Sequence, residues 1–218
     1  SDSETPVEYS DSALASRLAR LHVSDIRYVA GGMGWVAWDG VKWARDVARR
    51  HMAYTRTVCS KASAEALVRI QQPAKAERVA ARCASWPVMR NVAQIAETDP
   101  VMQVTVDRLD ADLYLLNTKN GVVDLRTSEL MPHDRAKLCT KVTSVEVDFD
   151  RGCPQWHAFL NEACDGDEEL KGYLQRLAGY AATGSTKEHV LAFAHGSGGN
   201  GKGTFLGALG AILGDYAA

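Results

Sequence analysis

The chain has 218 residues, of which 46% are hydrophobic and 24% are charged, and its formal net charge is −2. This composition is ordinary for a globular protein and excludes a disordered or fibrous chain. There is no run of about eighteen apolar residues and no basic amino-terminal region followed by an apolar run, so we expect neither a transmembrane helix nor a secretory signal. The five irregularly spaced cysteines indicate reduced thiols in a cytoplasm.

The amino-terminal segment is predicted to contain a tail, a helix and a hairpin. Residues 1–12 are polar and acidic and are expected to form a flexible tail, and residues 11–22 carry leucines at helical spacing. Asp39-Gly40 predicts a two-residue hairpin turn. We interpret one face of this hairpin as packed on a core, with stacking on nucleic-acid bases as the alternative. The residues of that face are Val36, Trp38, Val41 and Trp43.

Four helical segments are predicted between residues 45 and 96. Residues 45–58 place Val47, Tyr54 and Val58 on one face, and residues 61–71 continue the helical pattern. Pro73 begins the third helix, because proline is tolerated in a first turn, and Ser85 caps the fourth. The inward residues expected in these segments are Ala64, Leu67, Val68, Ala76, Val79, Cys83, Val88, Val92 and Ile95.

Residues 101–146 are predicted to be β-structure, followed by two helices. Asn120-Gly121 predicts a hairpin turn between strands 113–117 and 121–125. Leu130 and residues 142–147 supply further short strands. Cys153-Pro154 opens a helix, and residues 165–167 end it and cap a second helix that carries an apolar stripe.

The last segment combines a predicted strand at 190–194, a glycine-rich loop and a predicted helix at 202–213. The pattern of Gly, four residues and Gly-Lys matches a phosphate-binding loop. Glycines let backbone N–H groups converge on an anion, the following helix directs its positive end toward it, and the lysine reaches the outer phosphates. The alternative is a flexible glycine turn. The predicted nucleotide-binding residues are Gly196, Ser197, Gly198, Gly199, Asn200, Gly201, Lys202, Gly203 and Thr204.

One position departs from the phosphate-loop template. Gly203 stands where the template has the hydroxyl residue that binds Mg²⁺. Thr204 follows one residue later, about 100° further round the helix, and is the candidate Mg²⁺ ligand if the loop or the metal shifts, or if a water bridges them. Lys202 is the candidate catalytic residue, whereas we interpret His133 and His195 as packed or solvent-facing.

Charge is distributed unevenly along the chain. Residues 41–90 contain eleven Lys and Arg against three Asp and Glu, and residues 144–170 contain one basic residue against eight acidic ones. A basic stripe on a helix is ordinarily a solvated face, and contact with DNA phosphates is the competing hypothesis. The candidate DNA-binding residues are Arg45, Arg49, Arg56, Lys75, Arg78 and Arg82.

Several stretches resemble the phage and plasmid DNA primase–helicase family. They are residues 115–125 (LLNTKNGVVDL), 129–134 (ELMPHD), 153–156 (CPQW), 173–180 (YLQRLAGY) and 198–202 (GGNGK), in the same order as in that family. Such proteins pair a poxvirus-type amino-terminal helicase domain with a superfamily 3 helicase motor. The resemblance runs from about residue 14 to the end and is most specific after Leu113.

The resemblance implies a parent protein that hydrolyses ATP with Mg²⁺ and assembles as a hexameric ring. Such a parent would translocate on single-stranded DNA in the cytoplasm of a bacterial host during phage or plasmid replication, without a membrane partner. Residues 196–204 would be its Walker A loop. No primase active site is recognisable, so primase activity is not expected of this chain.

The predicted fold class is α+β. A mixed helical and β-hairpin domain at 13–150 is followed by a helical connector at 151–186 and by the start of an α/β P-loop (AAA+-like) fold at 187–218. A Walker B pair, a sensor, an arginine finger and DNA-contacting loops do not fit after Thr204. We therefore expect a fragment of a DNA helicase that alone hydrolyses ATP negligibly. The alternative is a non-catalytic module for DNA binding or oligomerisation, with residues 156–180 as candidates for subunit contact.

Overall fold

A computed structural model describes residues 5–196 and 198–217 of the chain. These residues form two compact units, the first comprising residues 5–39 and 43–109 and the second comprising residues 40–42 and 110–217. Within the described part there are seven α-helices and two small sheets. The mixed α+β class is therefore confirmed, and the boundary that we expected near residue 150 lies inside the second unit.

The first unit packs four helices against a four-stranded sheet. Strands β1 and β2, and β2 and β3, pair antiparallel, whereas β4 pairs parallel to β1, giving the order β3-β2-β1-β4. The elements in chain order are α1 (Asp11–His22), β1 (Ile26–Ala30), β2 (Gly34–Trp38), β3 (Trp43–Arg45), α2 (Arg50–Arg69), α3 (Pro73–Cys83), α4 (Trp86–Ala96) and β4 (Gln103–Thr105).

The amino-terminal helix begins inside the segment that we expected to be a tail. Residues 7–9 form a short 3-10 helix in which Tyr9 is buried, and the hydroxyl of Ser10 accepts a hydrogen bond from the Ala13 N–H at 3.2 Å, which caps α1. Leu14 and Leu18 are buried as predicted, but Leu21 is exposed. The first four residues of the expected tail lie outside the described residues.

The two helices predicted at 45–58 and 61–71 are one helix, α2. Its start was predicted wrongly, because Arg45 belongs to β3 and Arg49 adopts a left-handed conformation (φ 55°) just before the helix. The buried face carries Thr55, Val58, Cys59, Ala62 and Ala66. This face contains small residues, and α2 packs closely against α3. Val47, Leu67 and Val68 are exposed, contrary to the prediction, and Val47 precedes the helix.

The tryptophan hairpin forms with a longer connection than the sequence predicts. Trp38 pairs with Trp43, so residues 39–42 make a four-residue loop, and Val41 lies in this loop instead of on the strand face. Val36 and Trp43 are buried, as expected for a core-facing sheet surface.

Asp46 supplies the cap that starts α2. Its carboxylate, which is almost fully buried, accepts hydrogen bonds from the Arg50 N–H (2.8 Å) and the His51 N–H (2.9 Å), and it lies 2.7 Å from the His51 Nδ1. The His51 ring in turn stacks on Trp35. Burial raises the pKa of Asp46, but these donors outweigh it and hold the pKa below its usual value.

The second unit contains a three-stranded antiparallel sheet and three helices among its described residues. The strand order is β5-β6-β7. The elements are β5 (Leu115–Thr118), β6 (Gly121–Asp124), β7 (Glu129–Met131), α5 (Pro154–Ala163), α6 (Glu168–Ala181) and α7 (Lys202–Leu213). As predicted, Asp167 caps α6, its side chain accepting from the N–H groups of Glu169 and Leu170.

Two β predictions in this unit need correction. Thr118 pairs with Gly121, so the turn residues are Lys119 and Asn120, one position earlier than predicted. Residues 142–147 form no strand, because their backbone groups bond to several separate partners instead of to one strand in a continuous ladder. For example, the Thr143 N–H donates to the Asn117 carbonyl (2.9 Å) and the Val147 N–H to the Asn120 side chain (2.9 Å).

Asn117 joins four segments of the second unit and is fully buried. Its side-chain NH₂ donates to the carbonyl oxygens of Val41 (3.0 Å) and Lys141 (2.8 Å), and its Oδ1 lies 3.0 Å from His133 Nδ1. Its backbone N–H donates to the Tyr216 hydroxyl (3.1 Å). Burial raises the pKa of Tyr216 to about 12, which keeps this acceptor neutral.

We predict that Asp46→Asn lowers the free energy of unfolding of the first unit by about 2 kcal/mol, because an amide NH₂ replaces an acceptor that faces donors. Urea unfolding followed by tryptophan fluorescence measures this loss.

Since the folded pKa of Asp46 is depressed, its contribution is present above the unfolded pKa and disappears as the pH falls through the folded value. The difference from the unaltered protein should therefore shrink below about pH 4. The exposed control Asp107→Asn should show no such difference, and an equal loss in both variants would contradict the capping role.

We predict that Asn117→Asp costs about 3 kcal/mol, because it points a buried carboxylate at two carbonyl oxygens. Amide hydrogen exchange in residues 115–124 reports the loss. The control Lys119→Ala changes an exposed side chain of the same hairpin and should stay within about 0.5 kcal/mol of the unaltered protein. Similar exchange rates in the two variants would show that the Asn117 side chain does not hold these segments together.

Candidate nucleotide-binding site

Three glycines of the loop, Gly196, Gly199 and Gly201, have a positive φ that favours glycine, and at two of them an added Cβ would also be crowded. A Cβ added at Gly196 (φ +151°) would lie 2.3 Å from the side-chain nitrogen of Asn200. Gly201 (φ +83°) is the N-cap of α7, and a Cβ there would lie 3.0 Å from the Phe159 ring. The first glycine therefore permits the loop to close on itself, and the last permits it to pack against α5.

Lys202 lies inside the curve of this loop. Its Nζ donates to the Gly196 carbonyl (3.0 Å) and to the Asn200 Oδ1 (2.5 Å). The first helical hydrogen bond of α7 runs from the Phe205 N–H to the Gly201 carbonyl (2.9 Å). The backbone N–H groups before Phe205 thus have no intrahelical acceptor, and they carry the positive end of the helix dipole. An ammonium and a helix N-terminus together make this region electropositive.

The remaining loop residues place no bulky group at the helix start. Gly198, Gly199, Asn200, Gly203 and Thr204 are exposed. A Cβ at Gly203 would meet no heavy atom within 4 Å, so sterics do not explain why serine or threonine is missing there. Thr204 lies in the first turn of α7, and Ser197 lies outside the described residues.

The strand predicted before the loop does not form. Residues 190–196 have no strand hydrogen bonds, and Leu191 and Phe193 are 92% and 85% exposed. A single extended segment is unstable without a neighbouring strand, and none of the described residues pairs with this one. The prediction was wrong because an apolar run forms a strand only where a neighbouring strand is available to accept and donate its backbone hydrogen bonds.

A cavity of about 510 Å³ opens beside the loop. Asn200, Gly201, Lys202 and His195 line it at the loop. The rest of its wall is aromatic and aliphatic and is supplied mainly by α5 and α6. Phe205, which is buried and stacks on Trp156, fixes the start of α7 against α5.

The carboxyl end of α7 is fixed separately. The Ser144 N–H donates to the Ile212 carbonyl (3.0 Å), and the Val142 N–H donates to the Asp215 carboxylate (3.1 Å), which also pairs with Lys42. Gly214 (φ +57°) passes so close that an added Cβ would lie 2.7 Å from the Ser144 nitrogen. The helix that follows the loop is thereby held at both ends.

The six basic residues proposed for DNA contact lie on three elements of the first unit and next to them. Arg45 lies in β3, Arg49 precedes α2, and Arg56 lies on the exposed side of α2. Lys75 and Arg78 lie on α3, and Arg78 is exposed. Arg82 bonds within the unit, to the Tyr9 carbonyl (2.9 Å) and to the Asp11 carboxylate. These bonds tie Arg82 to the fold, and its contact with DNA stays a prediction.

Sequence reasoning missed Asn117 as the junction of the second unit. The signal was available, since Asn117 is the polar residue in the strand of the LLNTKNGVVDL stretch. His133, interpreted only as packed or solvent-facing, lies against its side chain. No signal indicated that the apolar faces of α5 and α6 line a cavity, because such stripes ordinarily form core.

A sequence profile described as D5 N terminal like matches residues 15–165, more than two thirds of the chain. The chain belongs to this family. D5 N terminal like domains are found in phage and plasmid primase–helicase proteins, where they form the amino-terminal region. No curated protein matches the chain.

The D5 N terminal like match includes the first unit from residue 15 and continues into the second unit as far as the end of α5. It contains the hairpin with Asn117 and His133, and the loop at 196–201 lies after it.

Among the described residues, no helix is long and apolar enough to cross a membrane. No group of three or more His, Cys, Asp or Glu side chains converges in that part of the chain.

Proposed function

We propose that residues 196–204 bind the phosphate groups of ATP with Mg²⁺, and that the chain is part of an ATP-dependent DNA helicase acting in phage or plasmid replication. The observation that carries this proposal is the position of Lys202, whose Nζ lies 3.0 Å from the Gly196 carbonyl in front of the α7 N-terminus. Membership of the D5 N terminal like family supports the helicase context.

The chemistry of the loop favours phosphate over its present acceptors. The Lys202 ammonium now bonds to a carbonyl and to a side-chain amide oxygen, both neutral. A phosphate oxygen carries negative charge, so it accepts a stronger hydrogen bond from the ammonium than these neutral oxygens do, and it also accepts hydrogen bonds from backbone N–H groups at the start of α7. The adjoining cavity of about 510 Å³ would take the base and ribose.

In this proposal Lys202 acts on the outer phosphates, where it stabilises the negative charge of phosphoryl transfer. Thr204 is the candidate Mg²⁺ ligand, in place of the hydroxyl missing at Gly203. Single-stranded DNA, a hexameric ring and the cytoplasm of a bacterial host belong to the same proposal, and they rest on the family context.

We predict that Lys202→Ala weakens binding of Mg·ATP to the chain about 10- to 100-fold, because it removes charge-assisted hydrogen bonds worth about 1.5–3 kcal/mol. Isothermal titration calorimetry measures the affinity, with inorganic tripolyphosphate as a second ligand that lacks the base. The variant Lys187→Ala, which removes an exposed lysine before the loop, serves as the control. Equal affinities of the two variants would contradict the proposal.

The variant Gly203→Ser, measured in the same titration, tests whether a hydroxyl at this position improves binding. The added side chain meets nothing within 4 Å and restores the hydroxyl of the template. We expect it to tighten ATP binding in the presence of Mg²⁺ and to leave binding in EDTA unchanged. An increase that is independent of Mg²⁺ would indicate a helix-propensity effect and would count against a metal at this position.

The second candidate function is DNA binding by the first unit, favoured by the exposure of Arg45, Arg49 and Arg56 around the start of α2. If these side chains contact phosphates, affinity for single-stranded DNA falls steeply with salt as counterions are released. We predict that the double variant Arg49→Ala, Arg56→Ala lowers the slope of log affinity against log salt by about 2. Fluorescence anisotropy at several salt concentrations measures this.

The control for DNA binding is Arg126→Ala in the second unit. Arg126 is similarly exposed but pairs with Asp112 and Asp124. Its removal should leave the salt slope unchanged. Binding that is absent, or that does not vary with salt, would remove the second candidate.

A further inference from the structure

The side chain of Asn200 lies between the first glycine of the loop and Lys202. Its Oδ1 accepts a hydrogen bond from the Lys202 Nζ at 2.5 Å. Its Nδ2 lies beside Gly196, where an added Cβ would come within 2.3 Å of it. The amide therefore occupies the space between these two residues, and the missing side chain at Gly196 makes room for it.

The Lys202 ammonium is restricted by two acceptors that come from the loop. A lysine ammonium is carried on a flexible four-carbon stem, so fixing its position costs conformational entropy. The Gly196 carbonyl (3.0 Å) and the Asn200 amide oxygen both accept from its Nζ. Two acceptors from different residues confine the ammonium to a small region in front of α7.

The chemical type of the Asn200 acceptor fits an anion site. An amide oxygen is neutral, so it orients the ammonium without cancelling its charge. A carboxylate in the same place would form an ion pair with the lysine and would repel an approaching anion. An asparagine at this position thus combines a fixed lysine with a full positive charge.

We propose that Asn200 is a positioning residue of the phosphate site, which acts through Lys202 by holding the ammonium where phosphate oxygens bind. This inference rests on the proposed function of residues 196–204. It gives different roles to two side chains that the sequence pattern places in one loop. Lys202 supplies the charge, and Asn200 determines where that charge is held.

The affinity of the chain for Mg·ATP and for inorganic tripolyphosphate, measured by isothermal titration calorimetry, tests the role of the amide. Asn200→Ala removes one acceptor and should weaken binding of both ligands about fivefold. Asn200→Asp replaces the amide with a carboxylate of the same shape, and it should weaken binding about 30-fold because the carboxylate pairs with the ammonium.

The matched control is a second asparagine–lysine pair of the same unit. The Oδ1 of Asn161 accepts from the Lys171 Nζ at 2.9 Å, outside the loop. Asn161→Ala and Asn161→Asp should leave both affinities unchanged. A similar loss in the Asn161 variants would show that the effect is not specific to the loop, and it would contradict the proposal.

A double-mutant cycle with Lys202→Ala tests whether Asn200 acts through the lysine. Affinity for tripolyphosphate is followed by NMR chemical shifts, which report weak binding. If Asn200 only positions Lys202, Asn200→Ala causes no further loss once Lys202 is alanine. A loss of about fivefold that persists without the lysine would show that Asn200 contacts the anion or shapes the loop, and it would overturn the positioning role.

Failure of this inference is distinguishable from failure of the phosphate site. If Lys202→Ala binds both ligands as tightly as the unaltered chain, the phosphate site is rejected and the positioning role is rejected with it. If Lys202→Ala binds more weakly but both Asn200 variants bind as tightly as the unaltered chain, or more tightly, only the positioning role is rejected.

Discussion

The second unit depends on one buried amide. Asn117 uses every hydrogen-bonding group it has, since its side chain binds two carbonyls and faces His133 while its backbone binds Tyr216 and Thr143. Loops that carry no regular structure are therefore fixed by a single strand residue. The consequence reaches the candidate site, because Tyr216 and Asp215 follow α7 and tie its carboxyl end to the same region.

The local rules of sequence reading located most helices of the chain. Pro73 and Pro154 stand in the first turns of α3 and α5, Asp167 caps α6, and the apolar spacing after Lys202 gives the bounds of α7. Each of these signals acts over a few residues, so the local sequence is sufficient to predict where each helix begins or ends. The α+β class follows from the same local signals.

The failures involve partners that are distant in the chain. Residues 142–147 and 190–194 have strand-like patterns, but a strand exists only where another strand accepts its hydrogen bonds. The start of α2 was misplaced because the left-handed turn at Arg49 and the cap from Asp46 override an apolar spacing that continues through both. The cavity could not be predicted for a related reason. The sequence pattern of an apolar helix face is the same whether that face packs against another helix or lines a cavity.

The basic residues between 41 and 90 have different roles that their charge alone does not reveal. The basic segment supplied all six candidate DNA contacts, yet its arginines differ in environment: Arg82 bonds within the fold, Arg56 faces solvent, and Arg45 lies on a strand. A count of charges records that an arginine is present but not which acceptor it meets. It therefore does not separate an arginine that bonds within the fold from one that faces solvent.

The bond from the Lys202 ammonium to the Gly196 carbonyl connects the two ends of the glycine-rich loop. One side chain therefore closes this segment of backbone into a short ring. The second bond of the same ammonium, to the Asn200 side chain, braces the ring from within. A substitution at Lys202 would open the ring as well as remove a charge, so its effect combines a loss of rigidity with a loss of attraction.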